Sequence, residues 1–198
     1  MENDTATEIL EATHRALCRR GYADLTLGAI ADEADRSTSS IHYHFDDKET
    51  LLREYLDHLH TRYIERIDAV DGGTSREELG SLLQRAIGEV EPASKAPFRT
   101  ALLEVKAQAP YDDAVRERLR AFDEFLLGRV EDVIADGIES GQFDEQVDAA
   151  AAADFLVTAV IGARTRNVAL GHSADVRKSI ARYVDAQLVA KEPTEATR

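Results

Sequence analysis

The chain has 198 residues, of which 43% are hydrophobic, so it can bury a sizeable core and wholesale disorder is not expected. Its 38 acidic residues outnumber the 24 basic ones and give a formal net charge of −14. No apolar run approaches the ~20 residues that span a bilayer, and the acidic N-terminus lacks a signal-peptide pattern, so we expect a cytoplasmic protein.

Apolar residues recur at the helical period along almost the whole chain, and no stretch alternates convincingly with a period of two. Gly21 ends the first helix, Thr26 caps the second, Ser37 caps the third, and Pro110 is expected to close the sixth. The sequence therefore predicts an all-α protein of about nine helices with a disordered tail at 191–198. The apolar residues that mark the predicted helices, with the capping residues where these set a bound, lie within residues 9–20, 27–34, 38–44, 48–70, 79–90, 98–109, 115–137, 148–170 and 174–190.

The first 50 residues contain the most informative pattern. Two short helices joined by a tight turn and braced by a longer helix form the three-helix unit that reads DNA. Ile30 and Ala31 are expected to face inward on the second helix, and Ile41 and Phe45 to point back from the third helix into the same core. The side chains left outward on the third helix can hydrogen-bond or stack, and they are Thr38, Ser39, Ser40, His42, Tyr43 and His44.

Residues 9–52 resemble the N-terminal signature of the TetR family of regulators nearly end to end. The agreeing pieces are Gly21-Tyr22, Leu25-Thr26, residues 30–34, Ser37, residues 41–45, Lys48-Glu49 and Leu51-Leu52. The resemblance implies a helix-turn-helix DNA-binding domain at 1–50 and an effector-binding and dimerisation domain at 51–198. It also implies a homodimeric repressor that a small-molecule effector releases from its double-stranded DNA operator.

The resemblance further implies which residues contact DNA. They are Thr26, Arg36, Ser37, Thr38, Ser39, Ser40, His42, Tyr43, His44 and Lys48. Thr26 and Lys48 would hold phosphates, Thr38, Ser39 and Ser40 would face base edges, and Tyr43 would reach the DNA backbone or a base. Asp35 and Arg36 replace the glycine and aliphatic residue common in the turn, which survives because aspartate tolerates the left-handed conformation. His42 replaces a frequent tyrosine and would make a phosphate contact pH-sensitive.

The charge of this segment conflicts with DNA binding. Residues 1–50 contain eleven acids against five bases, whereas DNA-binding domains are normally basic. A high-salt cytoplasm would reconcile the two, because acidic, lysine-poor surfaces are typical of salt-loving organisms and counterion release is then a weak driving force. Two alternatives stay open: an ordinary acidic protein, and a helical ligand-binding or protein-interaction module that has lost DNA binding.

The C-terminal part offers two further candidate sites. An effector cavity among helices four to seven is implied by the resemblance, and ordinary core packing is the alternative for each of its residues: Tyr55, His58, Tyr63, Phe98, Phe122 and Phe125. The eighth helix is apolar almost all round and carries small residues, so with the ninth it is expected to pair across a two-fold axis. The expected dimer residues are Phe155, Ala159, Gly162, Ala163, Ile180, Tyr183 and Val184, and packing within their own domain is the alternative.

No residue pattern predicts catalysis, a metal site or a cofactor. His42 and His44, like His58 and His60, stand two residues apart, which places them about 200° apart on a helix and prevents chelation of one ion. Gly72-Gly73 follows no strand and is not a phosphate loop. The single cysteine, Cys18, excludes an intramolecular disulfide and is expected on the buried side of the first helix.

Overall fold

The computed structural model describes residues 2–87, 96–171 and 176–190, and the predicted all-α fold is confirmed. In these ranges the helices are α1 (Glu2–Arg20), α2 (Leu27–Ala34), α3 (Thr38–His44), α4 (Lys48–Asp68), α5 (Ser75–Ile87), α6 (Ala96–Lys106), α7 (Asp113–Glu139), α8 (Ala149–Leu170) and α9 (Val176–Gln187). None of these helices has the length and apolar character needed to cross a membrane. The predicted disorder of the tail at 191–198 falls outside the described residues.

The chain divides into two compact units. One unit comprises residues 1–65 and 90–123, and the other comprises residues 66–89 and 124–198. The predicted division at residue 50, into a DNA-binding and an effector-binding and dimerisation domain, does not coincide with these packing units and stays a prediction.

The core of the first unit forms around the apolar side of α1. Ile9, Ala12 and Ala16 recur three or four residues apart and are completely buried. Ile30 and Ile41 reach the same cluster from α2 and α3 and are also fully buried, as predicted. Helices α1, α2 and α3 therefore share one core with the first turns of α4.

The two short helices begin and end where their polar residues predict. The Thr26 hydroxyl accepts a hydrogen bond from the Ala29 N–H at 3.1 Å, and the Ser37 hydroxyl accepts one from the Ser40 N–H at 3.2 Å. Between them, Asp35 adopts φ 52° and ψ 46°, the left-handed conformation that the predicted turn needs at this position. Its N–H donates to backbone carbonyls of α2, so the turn closes without a glycine.

The second unit packs α5, the C-terminal part of α7, α8 and α9 around leucine and valine side chains. Leu79 of α5, Val130 of α7 and Leu156 of α8 are completely buried. The Phe143 ring lies so close to Gly137 that a Cβ there would stand 2.2 Å from the ring. Phe143 also forms an isolated antiparallel bridge with Val189, which anchors the end of the described chain to the α7–α8 connection.

Two predicted helix ends are wrong. Helix α6 ends at Lys106 rather than near Pro110, because the chain goes into tight turns in which the Gln108 N–H donates to the Val105 carbonyl and the Ala109 N–H to that of Lys106. The proline disfavours helical geometry in the residue before it, so the helix stops early. Helix α9 ends at Gln187 rather than at 190, because the following residues pair with the segment around Phe143.

Candidate nucleic-acid interface

Helix α3 separates buried apolar residues from an exposed polar face. Ile41 is fully buried and Phe45 nearly so, and both contribute to the core of the first unit. The predicted DNA-contacting residues on the other side stay accessible: Thr38, Ser39, His42 and Tyr43 are exposed, whereas Ser40 and His44 are half-buried. Tyr43 is 75% exposed, which is unusual for an aromatic side chain. This face can donate and accept hydrogen bonds and can stack.

The basic side chains of residues 5–50 already have partners within the protein. Arg36 Nη2 donates to Glu8 Oε2 at 2.5 Å, and Arg19 Nη1 lies 2.8 Å from Glu33 Oε1. Arg15 donates to the Glu33 carbonyl, and Arg20 lies 3.7 Å from an Asp32 carboxylate oxygen. Neighbouring carboxylates therefore neutralise these guanidinium groups in part.

Lys48, the remaining base, lies at the first residue of α4. Its ammonium donates to the Tyr22 carbonyl oxygen at 3.2 Å and stands 4.5 Å from the centre of the Tyr22 ring. On the other side of the same residue, the Tyr22 N–H donates to Glu104 Oε2 of α6 at 2.5 Å.

Two of the predicted effector residues belong to a buried polar cluster in the first unit. Tyr55 is only 2% exposed, and its hydroxyl forms a 2.8 Å hydrogen bond with His14 Nδ1. The Phe98 ring packs on His14 with ring centres 4.7 Å apart. Burial lowers the pKa of His14, with the charges of Arg62 and Arg15 acting in the same direction. Burial also raises the pKa of Tyr55, so both groups are neutral near pH 7.

The other predicted effector residues occupy different surroundings. Phe122 packs against Tyr63 and His60, with ring centres 5.5 and 4.8 Å apart. His58 lines a groove of about 470 Å³ between α1, the end of α3 and α4, and no hydrogen bond satisfies its buried Nε2 atom in the structure. Phe125 is half-buried in the second unit. The structure thus distributes the six predicted residues over several places.

The predicted dimer residues divide into an exposed and a buried set. Phe155 is 50% exposed on α8, and a Cβ at the exposed Gly162 would meet no atom within 4 Å. Ala159, Ala163 and Tyr183 are half-buried, and the Tyr183 ring packs against Phe155 with centres 4.5 Å apart. Ile180 and Val184 are 7% and 6% exposed and lie in the core of their own unit. Polar Asp154 and Thr158 are also exposed on α8.

The sequence did not point to three acidic residues whose contacts shape this region, Glu8, Glu33 and Glu104, nor to His14 in the buried cluster with Tyr55. Glu8 and Glu33 neutralise arginines that lie between 14 and 28 positions away in the chain. Glu104 contacts a residue 82 positions away. The helical period predicts which side of a helix is buried, but it carries no signal for polar contacts between distant segments.

Comparisons with known proteins assign the family. Residues 9–55 match the family described as bacterial regulatory proteins of the tetR family, and residues 90–189 match the BetI-type transcriptional repressor C-terminal family. The fold matches a TetR transcription regulator from Haloarcula marismortui ATCC 43049 with a TM-score of 0.87 and 39% identity, covering 94% of this chain and 99% of that one.

Two curated relatives agree. The chain is 27% identical to the HTH-type transcriptional regulator TtgR of Pseudomonas putida over 93% of this chain and 90% of the relative. It is also 27% identical to the HTH-type transcriptional repressor KstR2 of Rhodococcus jostii over 76% and 73%. With a helix-turn-helix segment and a C-terminal domain that both match, the chain belongs to the TetR family of transcriptional regulators.

Proposed function

We propose that this regulator is a homodimeric repressor that binds a double-stranded DNA operator and leaves it when a small-molecule effector binds. One observation carries the DNA-binding part: α3 buries Ile41 in the core while it holds Thr38, Ser39 and Tyr43 exposed. Hydroxyl and phenol groups on one accessible helix face suit base edges in the major groove. The repressor assignment rests on the description of the matched C-terminal family and on the name of the Rhodococcus relative.

Homodimerisation is supported by the outward side of α8. Phe155, which is 50% exposed, and the open Gly162 two helical turns later on α8 are suited to burial against a second copy, because exposed apolar area favours association. Ile180 and Val184 would support this face from within their own unit, and Phe155, Gly162 and Tyr183 would form its outer layer. Two DNA-binding heads related by a two-fold axis would then read two half-sites.

The effector site is proposed in the first unit, where aromatic rings of α4 and α7 meet. Phe122 and Tyr63 are both half-buried and in contact. Replacing Phe122 with alanine is expected to weaken the response to an effector and to leave operator affinity intact. Loss of both together would indicate that the pair serves only as core packing.

A second candidate is a helical module that no longer binds DNA. It is favoured by the eleven acids of residues 1–50 and by the internal ion pairs of the arginines there. Under the repressor proposal, the same features fit a cytoplasm of high ionic strength, in which hydrogen bonds and fit supply most of the affinity. The Haloarcula relative is consistent with that setting.

The deciding experiment measures binding to the DNA upstream of the gene from low to molar KCl. We expect specific binding that survives near molar salt with a shallow salt slope. A steep negative slope with no binding above about 0.5 M would refute the high-salt account. The absence of specific binding at every salt concentration would favour the second candidate.

A further inference from the structure

In the connection between α1 and α2, side chains from two other helices hydrogen-bond the backbone of one residue, Tyr22. Gly21 adopts φ +77°, a backbone conformation that favours glycine, and a Cβ there would stand 2.7 Å from Glu104 Oε2, so the carboxylate lies directly against this turn. The N–H of the next residue, Tyr22, donates to Glu104, and its carbonyl oxygen accepts a hydrogen bond from Lys48. Both polar groups of this residue therefore have side-chain partners from distant parts of the first unit.

Glu104 supplies the first of these contacts from α6. Its carboxylate is half-buried, and a hydrogen bond to an ionised acceptor is stronger than one between neutral groups. Residues 9–55, which match the DNA-binding family, do not include α6. The contact therefore links a helix outside the helix-turn-helix segment to the loop inside it.

Lys48 supplies the second contact, and its ammonium group can still donate a hydrogen bond to a phosphate. An ammonium group has three N–H donors, and the Tyr22 carbonyl takes one of them. The Tyr22 ring, 4.5 Å from Nζ, adds a cation–π attraction on a second side. The two contacts fix the ammonium before any phosphate arrives, which lowers the entropy lost when a phosphate binds.

We propose that Glu104 is a positioning residue for DNA binding, which acts by holding Tyr22 so that Lys48 presents its ammonium to an operator phosphate. The proposal rests on the proposed function, because it assumes that Lys48 contacts DNA. It assigns to α6 a direct part in the geometry of the DNA interface. Without the carboxylate, the Tyr22 N–H loses its acceptor, and Tyr22 is held only by the Leu25 N–H and Lys48 at its carbonyl oxygen, so the position of the Lys48 ammonium is less well defined.

The direction in which operator affinity changes when Glu104 is replaced distinguishes a positioning role from a purely electrostatic one. Removal of any carboxylate from a protein of net charge −14 weakens its repulsion from DNA, so a non-positioning Glu104 would give tighter binding when replaced. A positioning Glu104 gives weaker binding. Glu117 is a suitable control, because it is exposed on α7 and its replacement changes the charge equally.

The experiment compares operator affinity and salt slope for wild type, Glu104→Ala, Glu104→Gln, Lys48→Ala, the Glu104→Ala/Lys48→Ala double variant and Glu117→Ala. Glu104→Ala is expected to lower affinity about fivefold on all sequences, the equivalent of roughly one hydrogen bond. It should also make the salt slope shallower, as Lys48→Ala does, and the double variant should be no weaker than Lys48→Ala. Glu104→Gln keeps an acceptor for the Tyr22 N–H and should retain most of the affinity.

Each other outcome counts against the proposal. Tighter binding by Glu104→Ala, equal to that of Glu117→Ala, or additive losses in the double variant would overturn it. If Glu104→Ala does not fold, Glu104→Asp keeps the charge but withdraws the acceptor, and unchanged binding by that variant would overturn it equally. Failure of the wild type to bind DNA would overturn the proposed function itself, whereas normal wild-type binding with an inert Glu104→Ala would overturn only this inference.

Discussion

Helices α3 and α8 each bury one side in their own unit and expose the other, yet the exposed sides differ in chemistry. On α3 the exposed residues are hydroxyls, an imidazole and the phenol of Tyr43, whereas on α8 they include Phe155, Gly162 and Leu170. Neither side is needed to complete the core beneath it. The polar face of α3 suits hydrogen-bonding readout of DNA, whereas Phe155 and Gly162, which lie among the exposed polar residues Asp154 and Thr158 of α8, offer apolar area to a second protein surface. The following changes test or refine this contrast.

The largest effect is expected from Gly162→Asp on α8. A carboxylate placed in an apolar contact without a partner costs on the order of 2 kcal/mol or more, so the ~44 kDa dimer should dissociate. Analytical ultracentrifugation at micromolar concentration measures this directly. Gly80→Asp is the matched control, since Gly80 is also an exposed helical glycine with open space around it, and this variant should stay dimeric. A monomeric wild type would contradict the dimer proposal.

The next largest effect concerns the exposed face of α3. Thr38→Ala and Ser40→Ala should change which operator is preferred, at roughly 1–3 kcal/mol for each lost base contact. Affinities for a set of single-base operator variants reveal the change. Thr100→Ala removes an exposed hydroxyl from α6 that bonds only to its own helix, and it should leave the preference unaltered. Equal losses on every operator variant would show that these residues contact the backbone of DNA instead.

A smaller effect is expected from Glu8→Gln, which removes the charge that neutralises Arg36. The freed guanidinium can then pair with a phosphate, so the slope of log K against log salt should become more negative by about 0.9. Binding at low salt should tighten at the same time. Glu11→Gln changes the charge of α1 equally at another exposed position and serves as the control. If both variants have the same slope, Arg36 does not reach the DNA.

The smallest effect is expected inside the first unit, behind the exposed face of α3. Burial holds the pKa of His14 below its ordinary value of 6.5, so the unfolded chain takes up a proton at a higher pH than the folded one. The contribution of His14 to stability is therefore fully present above about pH 6.5 and decreases as the pH falls through the folded-state value. Melting temperatures between pH 5 and 8 should show this decrease, and His14→Gln should remove it. The exposed His42→Gln control should keep the wild-type profile.

Much of the fold was predictable because its signals are local. The cap at Thr26, the cap at Ser37 and the left-handed Asp35 all depend on residues within one or two turns of each other. The exposed face of α3 followed from the positions of Ile41 and Phe45, which bury the opposite side. Local chemistry and helical period therefore sufficed to place the candidate DNA-contacting residues.

The parts that were not predictable depend on contacts between distant segments. No local pattern distinguishes Glu104 from any other surface glutamate, and only folding brings it to Tyr22. The same holds for Ile180 and Val184, whose apolar stripe fits an intermolecular and an intramolecular contact equally well. The premature end of α6 also had a weak local signal, because a proline limits a helix without fixing where it stops.

Cys18 makes the protein convenient for spectroscopic labelling. It is the single cysteine of the chain, it is half-buried on α1 with Sγ 3.7 Å from His14 Nε2, and burial raises its pKa. Thiol-directed reagents react with the thiolate, so a cysteine introduced at the exposed Glu11 of α1, outside the predicted DNA-contacting residues, should react well before Cys18 at neutral pH. A fluorophore or spin label can thus be placed on the first unit without first removing a native thiol, and the encounter with an operator can be followed in real time.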